Sequence, residues 1–164
     1  MAKVDKKDLE RMYKRLKKHH RSEAQVSMDR VARMAGMQVL RGAQDRVPVR
    51  DGILRASLII GNRENIFDMV LGGLRAEITV GTNLSYARYV EEGFTQREGQ
   101  FVPGYWDREK FIYVPDHPDG MVLKGKRVPG VHYFARSVAE VESIMDELVK
   151  EELDDLARRL FPDG

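Results

Sequence analysis

Pro48 divides this chain into two kinds of sequence. Before it, apolar residues recur at helical spacing among many charges; after it, the period shortens toward that of strands. Proline offers no N–H to a helical ladder and restricts Val47 as well, so a helix running toward it must stop. Near His132 the helical period returns. A 164-residue chain with this order is expected to be one α+β domain: an antiparallel sheet flanked by N-terminal helices and a long C-terminal helix. The expected parts are a helical region over 1–46, a sheet with a short helix over 47–93, a long mobile loop over 94–130, and a closing helix over 131–161.

The helical region carries a narrow stripe first, Leu9, Met12, Tyr13 and Leu16, among lysines and arginines. Ser22-Glu23-Ala24-Gln25 has the spacing of a capping box and predicts a second helix to about Asp45, with Met28, Val31, Ala32, Ala35 and Val39 inward and Arg30, Arg33 and Arg41 outward. One unbroken helix over 5–45, tolerating Ser22 inside it, is the alternative.

Beyond Pro48, Ile53 to Ile60 suggests a helical turn followed by a strand. Phe67–Leu71 and Leu74–Val80 predict a hairpin closed by Gly72-Gly73, whose glycines accept the positive φ of tight turns. In the second strand Ala76, Ile78 and Val80 alternate with Arg75, Glu77 and Thr79, the mark of a half-buried strand. Ser85 to Glu92 fits a short helix ended by Gly93. Its Tyr86, Tyr89 and Val90 fall on one face and should pack on the sheet. Residues 94–130 are punctuated by Pro103, Pro115, Pro118, Pro129 and five glycines, with a small hairpin allowed between 111–114 and 121–123. From His132 to Leu160, Val138, Val141, Met145 and Leu148 form one stripe, and Val149, Leu153, Leu156 and Leu160 an adjoining one.

The net charge of +2 conceals two opposed ends. Residues 1–21 hold nine basic and three acidic side chains, a net of +6; residues 140–164 hold nine acidic and three basic, a net of −6. Such ends attract within a chain or between copies. The absence of cysteine excludes disulfides and thiolate metal sites. No apolar run is long enough for a membrane span, and the N-terminal residues lack a secretion-signal core, which predicts a soluble intracellular product.

Catalytic patterns are missing. There is no G-x-S-x-G elbow, phosphate loop or dinucleotide fingerprint. His19 and His20 are adjacent, so a helix splays them apart. His117, between Asp116 and Asp119, reads as a turn, and His132 as a packing or capping residue. No cofactor, metal or enzymatic activity is expected.

Two stretches carry a family pattern. Val47-Pro48-Val49-Arg50-Asp51-Gly52-Ile53-Leu54-Arg55-Ala56-Ser57 and Val80-Gly81-Thr82-Asn83-Leu84-Ser85-Tyr86-Ala87-Arg88-Tyr89-Val90-Glu91-Glu92-Gly93 resemble the tail-component family of tailed phages typified by gene product ten of coliphage HK ninety-seven. Val131 to Val138, with Phe134, resembles its closing segment. Asp51 replaces a usual threonine and Ser137 a frequent proline. The residues that carry the resemblance are Pro48, Gly52, Leu54, Arg55, Ser57, Gly81, Thr82, Asn83, Tyr86, Ala87, Tyr89, Val90, Glu91, Gly93 and Phe134. Turn formers and packing residues of this kind suit a scaffold.

The resemblance implies a virion protein of the neck or upper tail, made in the host cytoplasm and assembled as a homo-oligomeric ring against connector or tail-tube proteins. Candidate subunit contacts are Lys14, Lys17 and Lys18, the acidic Glu147 and Glu151, and the aromatics Phe101, Tyr105 and Trp106 of the expected loop. The competing reading is a small sequence-independent nucleic-acid binder, whose basic N-terminal helices would touch phosphates without reading bases.

Overall fold

A computed structural model describes residues 6–72 and 75–160. The side chains before Lys14, and those of Arg15, Leu16, His19 and His20, lie outside the described set. So do the Leu9–Leu16 stripe and the His19–His20 pair as side chains, and Gly73 and Leu74 of the hairpin turn. Two compact units form. One is built from the chain up to Leu84 and from Tyr133 onward; the other is Ser85–His132.

The first unit rests on two helices. α1 (Lys6–Arg46) is a single helix through Ser22, so the capping-box spacing does not mark a boundary. Ser22 and Gln25 are side chains on a continuing helix, where intrahelical bonds already satisfy the backbone N–H groups that a cap would serve. α4 (Tyr133–Leu160) lies antiparallel to α1, as Arg46 meets Glu140 at one end and Ser27 meets Arg159 at the other. Small residues allow the approach: a Cβ added at Gly42 would stand 3.0 Å from Ser137 Oγ, and one at Gly36 would stand 2.4 Å from Ile78 Cδ1 of the sheet. Each interior glycine costs the helix about 1 kcal/mol relative to alanine, offset here by close packing.

After Pro48, α2 (Ile53–Ser57) begins beyond Gly52, whose φ of 77° is the left-handed conformation glycine accepts readily. The strand expected to follow is absent among the described residues; Leu58 to Asn65 turns instead, with Gln44 donating to the Leu58 carbonyl at 2.9 Å. β1 (Asn65–Gly72) and β2 (Arg75–Thr82) form the antiparallel hairpin, pairing Phe67 with Val80 and Gly72 with Arg75. Ala76, Ile78 and Val80 are its half-buried side, as their alternation requires. The core joins Ala35 and Val39 of α1 to Val141 of α4, with Val80, Phe134, Val138 and Met145 packed around them. Leu40 and Leu58 are fully buried.

The second unit corrects the reading of 94–130 as an irregular loop. α3 (Ala87–Glu92) is followed by β3 (Gly93–Thr95), which pairs with β7 (Arg127–Pro129). Between them β4 (Phe101–Asp107) pairs with both β5 (Lys110–Tyr113) and β6 (Gly120–Val122). The segments 111–114 and 121–123 therefore do not pair with each other; they border opposite halves of β4. Pro103 and Gly104 mark the change of side. β6 occupies the register up to Pro103, and β5 takes over at Gly104, where φ is 148° and a Cβ would stand 2.1 Å from the Ile112 carbonyl oxygen. Proline and glycine are tolerated in this strand because the ladder is interrupted there.

Tyr86 and Tyr89 do not pack as core. They are 39% and 52% exposed, and Ala87 is the buried residue of α3. A helix this short presents one narrow face, and the small side chain occupies it. Leu40→Ala should therefore lower stability by about 2–5 kcal/mol, whereas Tyr89→Ala should change it by less than about 1 kcal/mol. Chemical denaturation of the two variants checks the contrast.

Candidate assembly surface

The two sequence motifs meet through a chain of hydroxyls. Thr82 Oγ1 donates to Ser57 Oγ at 2.8 Å, and Ser57, which is buried, donates in turn to the Leu54 carbonyl at 2.7 Å. The Leu84 N–H donates back to Thr82 Oγ1 at 3.2 Å, and Asn65 reaches the carbonyls of Ser57 and Gly81. Leu54 is buried, Pro48 is exposed, and exposed Arg55 stands 4.0 Å from Asp45. The Asn83 N–H donates to the Glu64 carbonyl at 2.8 Å, beside the hairpin's end.

The rest of the second motif belongs to the other unit. Val90 and Glu91 accept backbone bonds from Val131 and His132. Gly93 has a φ of 76°, and a Cβ there would stand 2.3 Å from the Val128 carbonyl oxygen, so the β3–β7 pairing requires glycine. Tyr89 and Phe94 meet edge to face at 6.0 Å, and with Tyr86, Val90 and Val128 they line a shallow apolar depression. Exposed Phe101, Tyr105 and Trp106 lie on β4, with Trp106 edge-on to Phe111 at 5.3 Å. They stand on a paired strand, which removes the irregular backbone from which their mobility was expected. Phe134 packs beside the core of the first unit.

Charge and apolar surface come together on the first unit. Lys14, Lys17, Lys18 and Arg21 are exposed along α1, and Glu147 and Glu151 are exposed along α4. These two groups are not brought together within the chain, because antiparallel packing sets the end of α4 beside Glu23 and Ser27. The acidic half of α4 is met there by Arg159, which the sequence reading did not single out, and by Arg30, which it only placed outward. Arg159 donates to Glu152 at 2.8 Å and to Ser27 at 2.8 Å, and it also bonds Asp155. Arg30 stands 3.6 Å from Glu152. Burial alone would raise the Glu152 carboxyl, but hydrogen bonds involving Arg159 and Ser27 and the charges of Arg159 and Arg30 outweigh it and hold its pKa below the ordinary value. The hydrogen bond with Glu152 raises Arg159 against its own desolvation, helped by Asp155 and Glu23. Ser27 and Arg159 are 132 positions apart, so no local pattern signals this cluster.

Next to the cluster lies an open apolar groove of about 510 Å³ between α1, β2 and α4. Met28, Val31, Ala32 and Ala35 form one wall, Ala76 and Ile78 the floor, and Met145, Val149, Leu153 and Leu156 the other wall. α4 thus buries its first stripe and leaves much of its second uncovered: Leu153 is 55% exposed. Among the described residues, no helix is long and apolar enough to cross a membrane.

The chain matches the family described as "Bacteriophage HK97-gp10, putative tail-component" over residues 10–93. It belongs to that family. The match takes in α1 from Glu10 onward, both motifs and the hairpin, and ends at Gly93, so the closing segment 131–138 lies outside it. The phage-like element PBSX protein XkdI of Bacillus subtilis (strain 168) is 30% identical over 109 residues, covering 65% of this chain and 66% of that protein. YqbI of the same strain, an uncharacterized protein, is 34% identical over 100 residues, covering 57% of this chain and 59% of its own length. The chain thus spans just under two thirds of one relative and less of the other. No solved structure matches it. Family and relative together support a phage structural role.

The Glu152 cluster gives the first unit a defined pH response. A carboxyl whose folded pKa is depressed contributes stability above its unfolded value near 4.5, and that contribution is lost as the pH falls through the folded pKa. Glu152→Gln should cost about 1–3 kcal/mol at neutral pH. Its difference from the parent should shrink steadily once the pH drops below the unfolded value, which urea denaturation over a pH series measures directly.

Proposed function

We propose that this chain is a non-enzymatic subunit of a homo-oligomeric ring in the phage neck or upper tail, completing the tail or joining it to the head. Membership of the tail-component family is the observation that carries this reading. The distribution of charge supports it. A basic segment of α1 and an acidic face of α4 occupy different surfaces of one unit, and a contact between two different surfaces propagates head to tail and closes into a ring when its rotation permits. Long-range attraction between such surfaces speeds and orients encounter more than it strengthens the final contact. The adjoining partners are connector or tail-tube proteins. On the second unit, exposed Phe101, Tyr105 and Trp106 offer them aromatic anchors, which bury much area while freezing few rotors.

One observation favours a second reading. Lys14, Lys17, Lys18 and Arg21 are exposed within two turns of one helix, a spacing that allows several phosphate contacts on DNA. The two readings separate in one experiment. Replacing Lys14, Lys17 and Lys18 by glutamate should abolish or strongly impair ring assembly, measured by light scattering after size exclusion. Stability should shift by no more than about 0.5 kcal/mol, because the three side chains are solvated. Normal rings from the triple variant refute charge steering. A parent chain that stays monomeric and binds DNA with a steep salt dependence favours the nucleic-acid reading instead.

A further inference from the structure

The contact between α1 and α4 changes character along its length. Ala35, Val39 and Ala43 of α1 and Tyr133, Val141 and Leu148 of α4 are buried. Before Ala35 on α1 and after Leu148 on α4, no apolar side chain is buried among the described residues, and Ser27 alone is. Met28, Val31, Ala32 and Leu156 are only half-buried there, because the open groove lies between the helices at that level. Apolar stabilisation scales with the area removed from water, so these residues hold the end of α4 less firmly than the core holds its start.

Polar groups take over where the apolar contact ends. Arg159 of α4 donates to Ser27 of α1 at 2.8 Å and stands 3.8 Å from Glu23. In return Arg30 of α1 stands 3.6 Å from Glu152 and 3.7 Å from Asp155. Glu152 joins the two arginines, accepting from Arg159 at 2.8 Å with its side chain only 12% exposed.

We propose that this cluster is a latch for the end of α4. Intact, it holds residues 149–160 on α1; broken, it releases that segment while the contact from Tyr133 to Leu148 stays closed. Partly buried ion pairs suit this role, because an intact pair adds only modest net stability whereas losing one partner strands a charge away from water. Neutralising Glu152 leaves Arg159 and Arg30 as two cations converging on one place, and Arg159 Nε is already buried without a hydrogen bond. A released segment of about 12 residues keeps only its own backbone bonds and is marginal as a helix in water. It therefore unwinds, and the groove loses the wall formed by Val149, Leu153 and Leu156. The latch rests on the fold of the first unit alone and holds whether or not the chain forms a ring.

Hydrogen exchange of the full chain, followed by mass spectrometry, reads such local opening separately from global unfolding. In Glu152→Gln, exchange over 149–158 should speed about 10- to 100-fold, the effect of losing a hydrogen bond between charged groups. Residues 137–148 should keep the parent rate. Arg159→Met, which removes the charge and retains a long side chain, should give the same contrast. Glu140→Gln, which breaks the Arg46 pair at the other end of α4, should leave 149–158 unchanged. The parent in about 1 M KCl should show the same contrast to a smaller extent, because salt screens partly buried pairs less than exposed ones. If a variant fails to fold, this salt comparison on the parent decides. Equal acceleration of 137–148 and 149–158 means that α4 opens as one unit and overturns the latch. Unchanged exchange over 149–158 overturns it too, since apolar contact or simple fraying would then set the rate.

Discussion

The antiparallel contact between α1 and α4 is the constraint on which the first unit depends. Two helices can lie this close only where side chains are small, and Ala35, Gly42, Ala43 and Ser137 supply that condition. Arg46 ties one end, bonding Glu140 at 2.6 Å, Ser137 at 3.2 Å and the Gly42 carbonyl at 3.0 Å. The cluster around Arg159 ties the other. Between them Val39, Val141 and their neighbours exclude water. The hairpin then has a surface to cover, and Gly36 admits Ile78 directly against the α1 backbone.

The same contact fixes what is left over. Because α1 is much longer than α4 and runs opposite to it, no ion pair among the described residues joins Lys14, Lys17, Lys18 or Arg21 to a carboxylate of α4. Part of the acidic charge of α4 is neutralised locally by Arg30 and Arg159; the Arg159–Glu152 pair is partly shielded from water, whereas Arg30 is half exposed. The remaining carboxylates and the second apolar stripe face outward.

The family pattern has a physical basis in both units. Thr82 donates its hydroxyl to Ser57, which donates in turn to the Leu54 carbonyl, so the first stretch and the start of the second form one joint between α2 and the hairpin. The remainder of the second stretch ends in Gly93, whose positive φ and tight approach to Val128 start a separate small sheet. These residues set turns and joints.

Much of the first unit was legible from the sequence alone. Periodicity identified the β1–β2 hairpin and α4, and α3 in the second unit, because local spacing decides which face of a helix or strand is apolar; the single helix α1 was only the alternative to two helices parted at Ser22. The two stripes of α4 were legible in the same way. What the sequence could not assign was which stripe would be covered, since that depends on the partner across 100 or so intervening positions and not on α4 itself. Of the strands between residues 93 and 129 the sequence allowed only those near 111–114 and 121–123, and paired them with each other, for a related reason. Pro103 and Gly104 read as loop punctuation, yet they sit where β4 exchanges one neighbour for another, and only pairing between distant segments gives them that place. Tyr86 and Tyr89 fell on a plausible packing face, but tertiary structure gave the buried position to Ala87. Local sequence thus determined the elements and their apolar faces; long-range packing alone decided which faces were buried and which were left open, because burial is a property of two surfaces meeting.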